Sequence, residues 1–202
     1  MDDYKSFARY YDLFLEPIMH RIRRRLVLWV KKYNVKTVLD MGCGTGKQLS
    51  FLPKNLFSFG VDISIHMLAQ AGKNAQKKCL RGDVVSLPFP DRSFDLVYSQ
   101  FALHEKDLSV VRKALSEARR ILKPNGYLII VDFANPAGSG LKVKLFKRGI
   151  TYIESNAGDE HFHNFKIWWK NGGIDQIVEN EEWRKVEDIS FYAGNVKMSV
   201  FQ

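Results

Sequence analysis

The chain has 202 residues, 46% of them hydrophobic and 26% charged, an ordinary balance for a globular protein large enough to bury a sizeable core. No apolar run reaches the ~18 residues of a membrane-spanning helix, and the acidic opening Met1-Asp2-Asp3-Tyr4 is unlike a secretory signal, so a cytoplasmic protein of one domain is expected. A net charge of +9 is compatible with an RNA partner, peripheral contact with an anionic membrane, or an acidic small substrate; it does not choose among them and sets no oligomeric state.

Residues 1–34 read as an N-terminal helical cover. Tyr4, Phe7, Tyr10, Tyr11 and Phe14 predict a leading helix that packs on, or covers, a ligand cleft, with Tyr10 and Tyr11 shaping the pocket or packing in the core. Ile18, Ile22, Leu26, Trp29, Val30 and Tyr33 then recur at helical spacing. That pattern predicts a buried apolar stripe, with Arg21, Arg23, Arg24, Arg25, Lys31 and Lys32 turned outward.

The run from Val38 to Met41 breaks into Gly42-Cys43-Gly44-Thr45-Gly46-Lys47, after which Gln48, Leu49, Phe51 and Leu52 resume with helical spacing. Strand, tight loop and helix are predicted, the glycines letting the chain turn sharply and a ligand meet bare backbone. A dinucleotide fingerprint would place its third glycine where Lys47 stands, and no phosphate-loop signature is present. Cys43 and Cys79 have neither the spacing nor the neighbours of a disulfide or metal framework and are expected as free thiols.

Leu56 to Asp62 reads as a second buried strand ending on an acid. Asp62 follows Gly42 by about the twenty residues expected of a ribose-binding carboxylate, which can accept from both ribose hydroxyls. Ser64 caps a helix carrying Met67, Leu68 and Ala71, and Lys78-Cys79-Leu80 forms a short third strand leading to Gly82-Asp83. Asp83 is placed to accept from an adenine amino group, or serves as a turn residue. Phe94 to Ser99 is the fourth strand, running into Gln100-Phe101-Ala102-Leu103-His104-Glu105 at the ligand-facing edge. A helix with Val110, Val111, Leu115, Ala118, Ile121 and Leu122 on its buried face stops at Pro124-Asn125-Gly126, and Tyr127 to Phe133 is the fifth strand.

Residues 134–182 form a connection long enough to carry its own helices and function, and it is assigned to a substrate-side insertion. It contains Lys142, Lys144, Lys147 and Arg148, then His161-Phe162-His163 and Trp168-Trp169. His161 and His163 sit two apart, on different faces of a helix, so no metal site is expected. Residues 183–191 and 196–201 alternate as two strands joined by a turn at Ala193-Gly194-Asn195.

Val-Leu-Asp-Met-Gly-Cys-Gly-Thr-Gly, Gly-Val-Asp-Ile-Ser, the stretch from Gly82 to Val97 and Arg-Ile-Leu-Lys-Pro-Asn-Gly-Tyr-Leu occur in order across residues 35–133. Together they resemble the Rossmann-like S-adenosylmethionine (SAM)-dependent methyltransferases. The resemblance is to the broad group that includes ubiquinone/menaquinone C-methyltransferases and bacterial phosphatidylethanolamine N-methyltransferases. Phe7 to Leu13 is also similar to the Tyr-Asp-bearing lead helix of those enzymes.

The resemblance implies an α/β fold, a doubly wound and mostly parallel seven-stranded sheet with helices on both faces and a closing antiparallel C-terminal hairpin (183–202). It implies SAM as cofactor. Gly42, Gly44 and Gly46 would meet its methionine portion with Asp40 anchoring the amino end, Asp62 and Ile63 the ribose, Asp83 and Val84 the adenine. Phe101 and His104 would sit near the transferable methyl, His104 being the candidate general base. Tyr10, Tyr11, Phe162, His163, Trp168 and Trp169 are the candidate substrate-side residues, with helix-to-sheet packing the competing role for the two tryptophans. The expected activity is methyl transfer to a small, apolar or lipid- or quinone-like acceptor. The alternatives are an RNA or protein methyltransferase, or a SAM-binding regulatory module without turnover. Tyr98-Ser99-Gln100-Phe101 stands where amino-directed nucleic-acid methyltransferases carry Asn/Asp-Pro-Pro-aromatic, which argues against a nucleic-acid substrate.

Overall fold

A computed structural model describes residues 8–202 other than 75–77, 137, 139, 180 and 182; the side chains of 8–18, 72–74, 176, 177 and 179 also lie outside the described set. Tyr10 and Tyr11 therefore fall in described backbone, while their side chains, and with them the pocket expectation, lie outside the described residues.

The apolar runs 37–41, 94–100 and 128–133 are buried on both faces and form the parallel centre of a seven-stranded sheet, whereas the run 56–62, read as a buried strand, alternates and leaves Phe57 and Phe59 exposed. Its strands are β1 (Thr37–Met41), β2 (Phe57–Asp62), β3 (Cys79–Arg81), β4 (Phe94–Gln100), β5 (Leu122–Phe133), β6 (Lys185–Phe191) and β7 (Val196–Phe201), in the order β3-β2-β1-β4-β5-β7-β6. The pairings β3-β2-β1-β4-β5 are parallel, and β7 pairs antiparallel with both β5 and β6. Strand order reverses between β1 and β4, and the crevice outside the carboxyl ends at such a switch point is the ligand position of open α/β sheets. On the opposite edge Asp95 ties β4 to β1. Its Oδ2 accepts from the backbone N–H of Lys36 and Thr37 at 3.0 and 2.9 Å, and Lys123 Nζ lies 2.8 Å from Oδ1.

The helices are α1 (Ala8–Lys32), α2 (Lys47–Phe51), α3 (Ile65–Asn74), α4 (Leu108–Ile121), α5 (Leu141–Glu154), α6 (Asp159–Lys170) and α7 (Ile174–Glu179). Asp107 caps α4 by accepting from Ser109 N at 2.7 Å, and Val111, Ala114, Leu115, Ala118 and Ile121 fill one face of the core.

Three further details depart from the sequence reading. From Ala8 onward the leader and the basic helix are one continuous helix, α1. Arg23 does not face outward: it is 4% exposed, because it shares the stripe of Met19, Ile22, Leu26 and Val30 at helical spacing. Strand β5 starts at Leu122 rather than Tyr127, taking the Pro-Asn-Gly turn into the strand as an irregularity with Asn125 at φ 66°. The insertion is helical, its chain anchored by a bridge between Ala134 and Gly173, where a side chain at Gly173 would meet Phe133 O at 2.7 Å.

Candidate active site

Gly42, Gly44 and Gly46 all have left-handed backbones, φ 75°, 52° and 65°, which let the chain leave β1 and start α2 within five residues. The loop is stapled to β2: Gly42 N and Cys43 N both donate to Val61 O, at 2.8 and 3.0 Å. The glycines play different parts. A Cβ on Gly42 would lie 2.5 Å from Ala102 Cβ, in the segment following β4, whereas a Cβ on Gly44 would meet nothing within 4 Å among the described residues. Gly42 is thus required for close packing, and Gly44 opens onto the crevice.

Asp62, at the end of β2, holds this loop from the side. Its Oδ2 accepts from Gly44 N at 2.7 Å and its Oδ1 from Ser64 N at 2.8 Å. Burial raises its pKa, against the opposing pull of these two N–H groups. Asp40 lies deeper, 1% exposed, at the end of β1. Tyr98 Oη donates to its Oδ2 at 2.7 Å, while Oδ1 has no hydrogen-bond partner among the described residues. Burial pushes the Asp40 pKa up to about 7, reinforced by the Asp62 charge and opposed by the Tyr98 hydrogen bond and the Arg23 guanidinium. Arg23, read in sequence as a surface residue, is therefore a cation whose charge reaches the site from α1.

Cys43 is buried, and the adjoining Cys79 thiol and burial together push its pKa up. It is not poised as a thiolate nucleophile. Along the neighbouring strand ends, Ile63 is 55% exposed and Val84 half-buried. Asp83 is exposed and takes Val85 N onto its own Oδ1 at 3.1 Å, forming a turn. Phe101 has φ 53°, donates its N–H to Val131 O at 2.8 Å and rests its ring against Phe133, centroids 5.2 Å apart.

His104 sits away from the crevice surface, 3% exposed, within a chain of alternating charges. Its Nδ1 is 2.7 Å from Asp132 Oδ1 and its Nε2 3.3 Å from Glu154 Oε2; the same Glu154 oxygen is 2.5 Å from His161 Nε2. His161 Nδ1 is 3.3 Å from Glu105 Oε2, and Lys106 Nζ is 2.7 Å from Glu105 Oε1. Burial disfavours a charged imidazole, yet the Asp132 and Glu154 carboxylates hold the His104 pKa well above its ordinary value. Glu154 is held at about 2, its burial outweighed by the two histidines. Sequence reasoning weighed His161 against His163, its neighbour in the chain. The fold pairs it with His104, and only the three-dimensional arrangement brings in Glu105, Asp132 and Glu154.

The other substrate-side candidates do not converge on one pocket. His163 is exposed, on the opposite face of α6. Phe162 stacks on Phe165, centroids 6.1 Å apart. Trp168 is fully buried and donates Nε1–H to Phe133 O at 2.9 Å, and Trp169 is 8% exposed beside Phe133. Both tryptophans serve helix-to-sheet packing.

Three features fit a ligand whose end is cationic: a buried carboxylate oxygen without a partner on Asp40, the open space before Gly44, and the unpartnered Gln100 Oε1 at the end of β4. The amino end of SAM carries such a charge. The glycine-turned first crossover at the β1/β4 switch, with acids near the ends of β1 and β2, is a Rossmann-like arrangement suited to a nucleoside-bearing cofactor such as SAM.

Residues 39–130 match the family described as a methyltransferase domain. The chain is 40% identical over 106 residues to the uncharacterized methyltransferase YcgJ of Bacillus subtilis, covering 49% of this chain and 41% of that protein. It is 36% identical over 118 residues to a demethylmenaquinone methyltransferase of Thermotoga maritima, covering 56% and 51% respectively. Among solved structures, the PH0226 protein of Pyrococcus horikoshii OT3 has the same fold with a TM-score of 0.65 at 21% identity, covering 96% of this chain and 90% of that one. The chain spans about half the length of the curated relatives it matches. Among the described residues no helix is long and apolar enough to cross a membrane.

Proposed function

We propose that the protein transfers a methyl group from SAM to a small, apolar or quinone-like acceptor. The observation that carries the cofactor half of this reading is the buried, unpartnered Asp40 Oδ1 behind a glycine loop that is open at Gly44. When bound, SAM supplies a methyl group already activated on a positively charged sulfur, so the protein's work is alignment and exclusion of water rather than proton chemistry.

Each residue then has a defined task. Asp40, once ionised, receives the cofactor's ammonium on Oδ1, while the Tyr98 hydroxyl fixes the orientation of the carboxylate. Gly42, Gly44 and Gly46 offer backbone without side chains to the methionine portion. Asp62 holds Gly44 N and presents its carboxylate to the ribose hydroxyls, with Ile63 beside it. Asp83 and Val84 flank the adenine, and Phe101 presents an aromatic ring toward the reacting end. His104 is not assigned as a general base, because both of its ring nitrogens already face carboxylates.

The acceptor class is supported by the name of the Thermotoga maritima relative and by the Phe101–Phe133 aromatic pair at the ends of β4 and β5. The test is incubation of the pure protein with methyl-labelled SAM and a lysate, followed by separation into lipid, nucleic-acid and protein fractions. Label in the lipid-extractable fraction is expected. Label in RNA or protein would replace the acceptor, and saturable SAM binding with no turnover on any fraction would make the chain a regulatory module.

A further inference from the structure

We propose that His104, Glu154 and His161 bind a divalent transition-metal ion of the zinc type, which clamps the helical insertion onto the ends of β4 and β5. This site is separate from the methyltransferase reading and does not depend on it. One ring nitrogen each from His104 and His161 and a Glu154 carboxylate oxygen lie within 4.8 Å of one another, and in both rings Nε2 is the nitrogen that faces Glu154. They come from three places in the fold: the segment after β4, the last residue of α5 and the first turn of α6.

The orientation of the rings suits an ion. Each imidazole faces a carboxylate through Nδ1, His104 toward Asp132 at 2.7 Å and His161 toward Glu105 at 3.3 Å. In the neutral ring the Nδ1 proton belongs to that carboxylate contact, which leaves the Nε2 lone pair directed at Glu154. An ion would take the place of the Nε2 protons that lie between the two rings and Glu154, so that two nitrogen lone pairs and a carboxylate oxygen would surround one point. Carboxylates behind metal-bound histidines are what fix ring orientation and raise ligand basicity. Both histidines here have one.

The distances suit the ion. Zinc bonds of about 2.0–2.1 Å to nitrogen and oxygen put neighbouring donors of a tetrahedron about 3.3–3.4 Å apart. His104 Nε2 and Glu154 Oε2 are 3.3 Å apart, and His161 Nε2, at 2.5 Å from the same oxygen, needs only a small outward movement. Two nitrogen donors among three select against magnesium and calcium, which take oxygen. Three protein ligands leave one tetrahedral position for solvent, and His161, with 16% of its side chain exposed against 4% for His104, marks that side. The ligand set joins two insertion helices to the sheet, so the ion contributes chiefly by fixing the insertion.

The test uses the full chain, stripped with a chelator and titrated with Co²⁺ as a spectroscopic probe, then with Zn²⁺ in competition against a chromophoric chelator. One saturable equivalent of Co²⁺ is expected, with the visible absorption of a four-coordinate site, together with a rise in melting temperature on adding Zn²⁺. Glu154→Gln, close in shape to the native residue, and His161→Ala should each weaken binding at least a hundredfold, and Glu105→Gln about 10–100-fold. His163→Ala, two residues away and exposed, should bind as wild type. Absence of saturable uptake by the wild-type chain, unchanged uptake by both Glu154→Gln and His161→Ala, or loss of uptake in His163→Ala would overturn the proposal.

Discussion

Tyr98 and Asp40 face one another across the β1/β4 pair at the middle of the sheet, and the phenol donates to the Asp40 carboxylate at 2.7 Å with both residues buried. The contact leaves Asp40 Oδ1 without a partner and its pKa at about 7, raised mainly by burial. A carboxyl group whose folded pKa lies above its ordinary value of 3.8 binds its proton more tightly folded than unfolded. Its contribution to stability is therefore full at acid pH and is lost as pH rises from about 4 to about 7. Relative to Asp40→Asn, the cofactor-free wild type should lose stability over that window, as followed by thermal melts at successive pH values.

Cofactor binding should have the opposite slope. If the ammonium of SAM sits on ionised Asp40, affinity should rise about fivefold between pH 6 and 7 and level off above, since a group of pKa about 7 gains charge over that range. Calorimetric titration of SAM at several pH values checks this. A flat profile would remove Asp40 from the ammonium site.

Asp62→Ala takes an acceptor from both Gly44 N and Ser64 N. It also removes the proposed acceptor of the ribose hydroxyls, where a hydrogen bond to a charged group would contribute about 1.5–3 kcal/mol and 1.4 kcal/mol is about tenfold in affinity. SAM affinity should fall at least tenfold in a protein that remains folded, and equilibrium dialysis with labelled cofactor measures it.

The two glycines should separate under the same substitution. Gly42→Ala places a Cβ 2.5 Å from Ala102 in a left-handed backbone, so it should lower the melting temperature clearly. Gly44→Ala incurs only the left-handed strain of about 1–2 kcal/mol, since its Cβ meets no atom. The Gly44 variant should stay folded while SAM binding drops, a contrast read from circular-dichroism melts beside binding isotherms.

Trp168→Ala should act on the fold. Its indole is fully buried and its Nε1–H satisfies Phe133 O, so truncation should destabilise by about 3–5 kcal/mol. Chemical denaturation of the variant measures that loss. A variant as stable as wild type but deficient in methyl transfer would return Trp168 to the substrate site.

The crossover from β1 to α2 was legible in the sequence because its determinants are local. An apolar run gives a strand buried on both faces, and alternating glycines give a turn that other residues resist, all within some fifteen positions. The acids at Asp40 and Asp62 could be marked for the same reason, since they close strands whose ends the sheet brings to one edge. Arg23 could not. Its position on the buried stripe was written in the spacing of Met19, Ile22 and Leu26, but only the packing of α1 brought its charge near enough to Asp40 to be felt there. The tryptophans likewise offered an apolar surface without saying whether sheet or substrate would cover it. The His104, Glu154 and His161 cluster was the least legible, because its members are 50 and 7 residues apart along the chain and belong to three elements. Local sequence determines conformation through short-range sterics and hydrophobic period. Which charges meet is decided by how the insertion folds back onto the strand ends, a long-range packing outcome with no local signature.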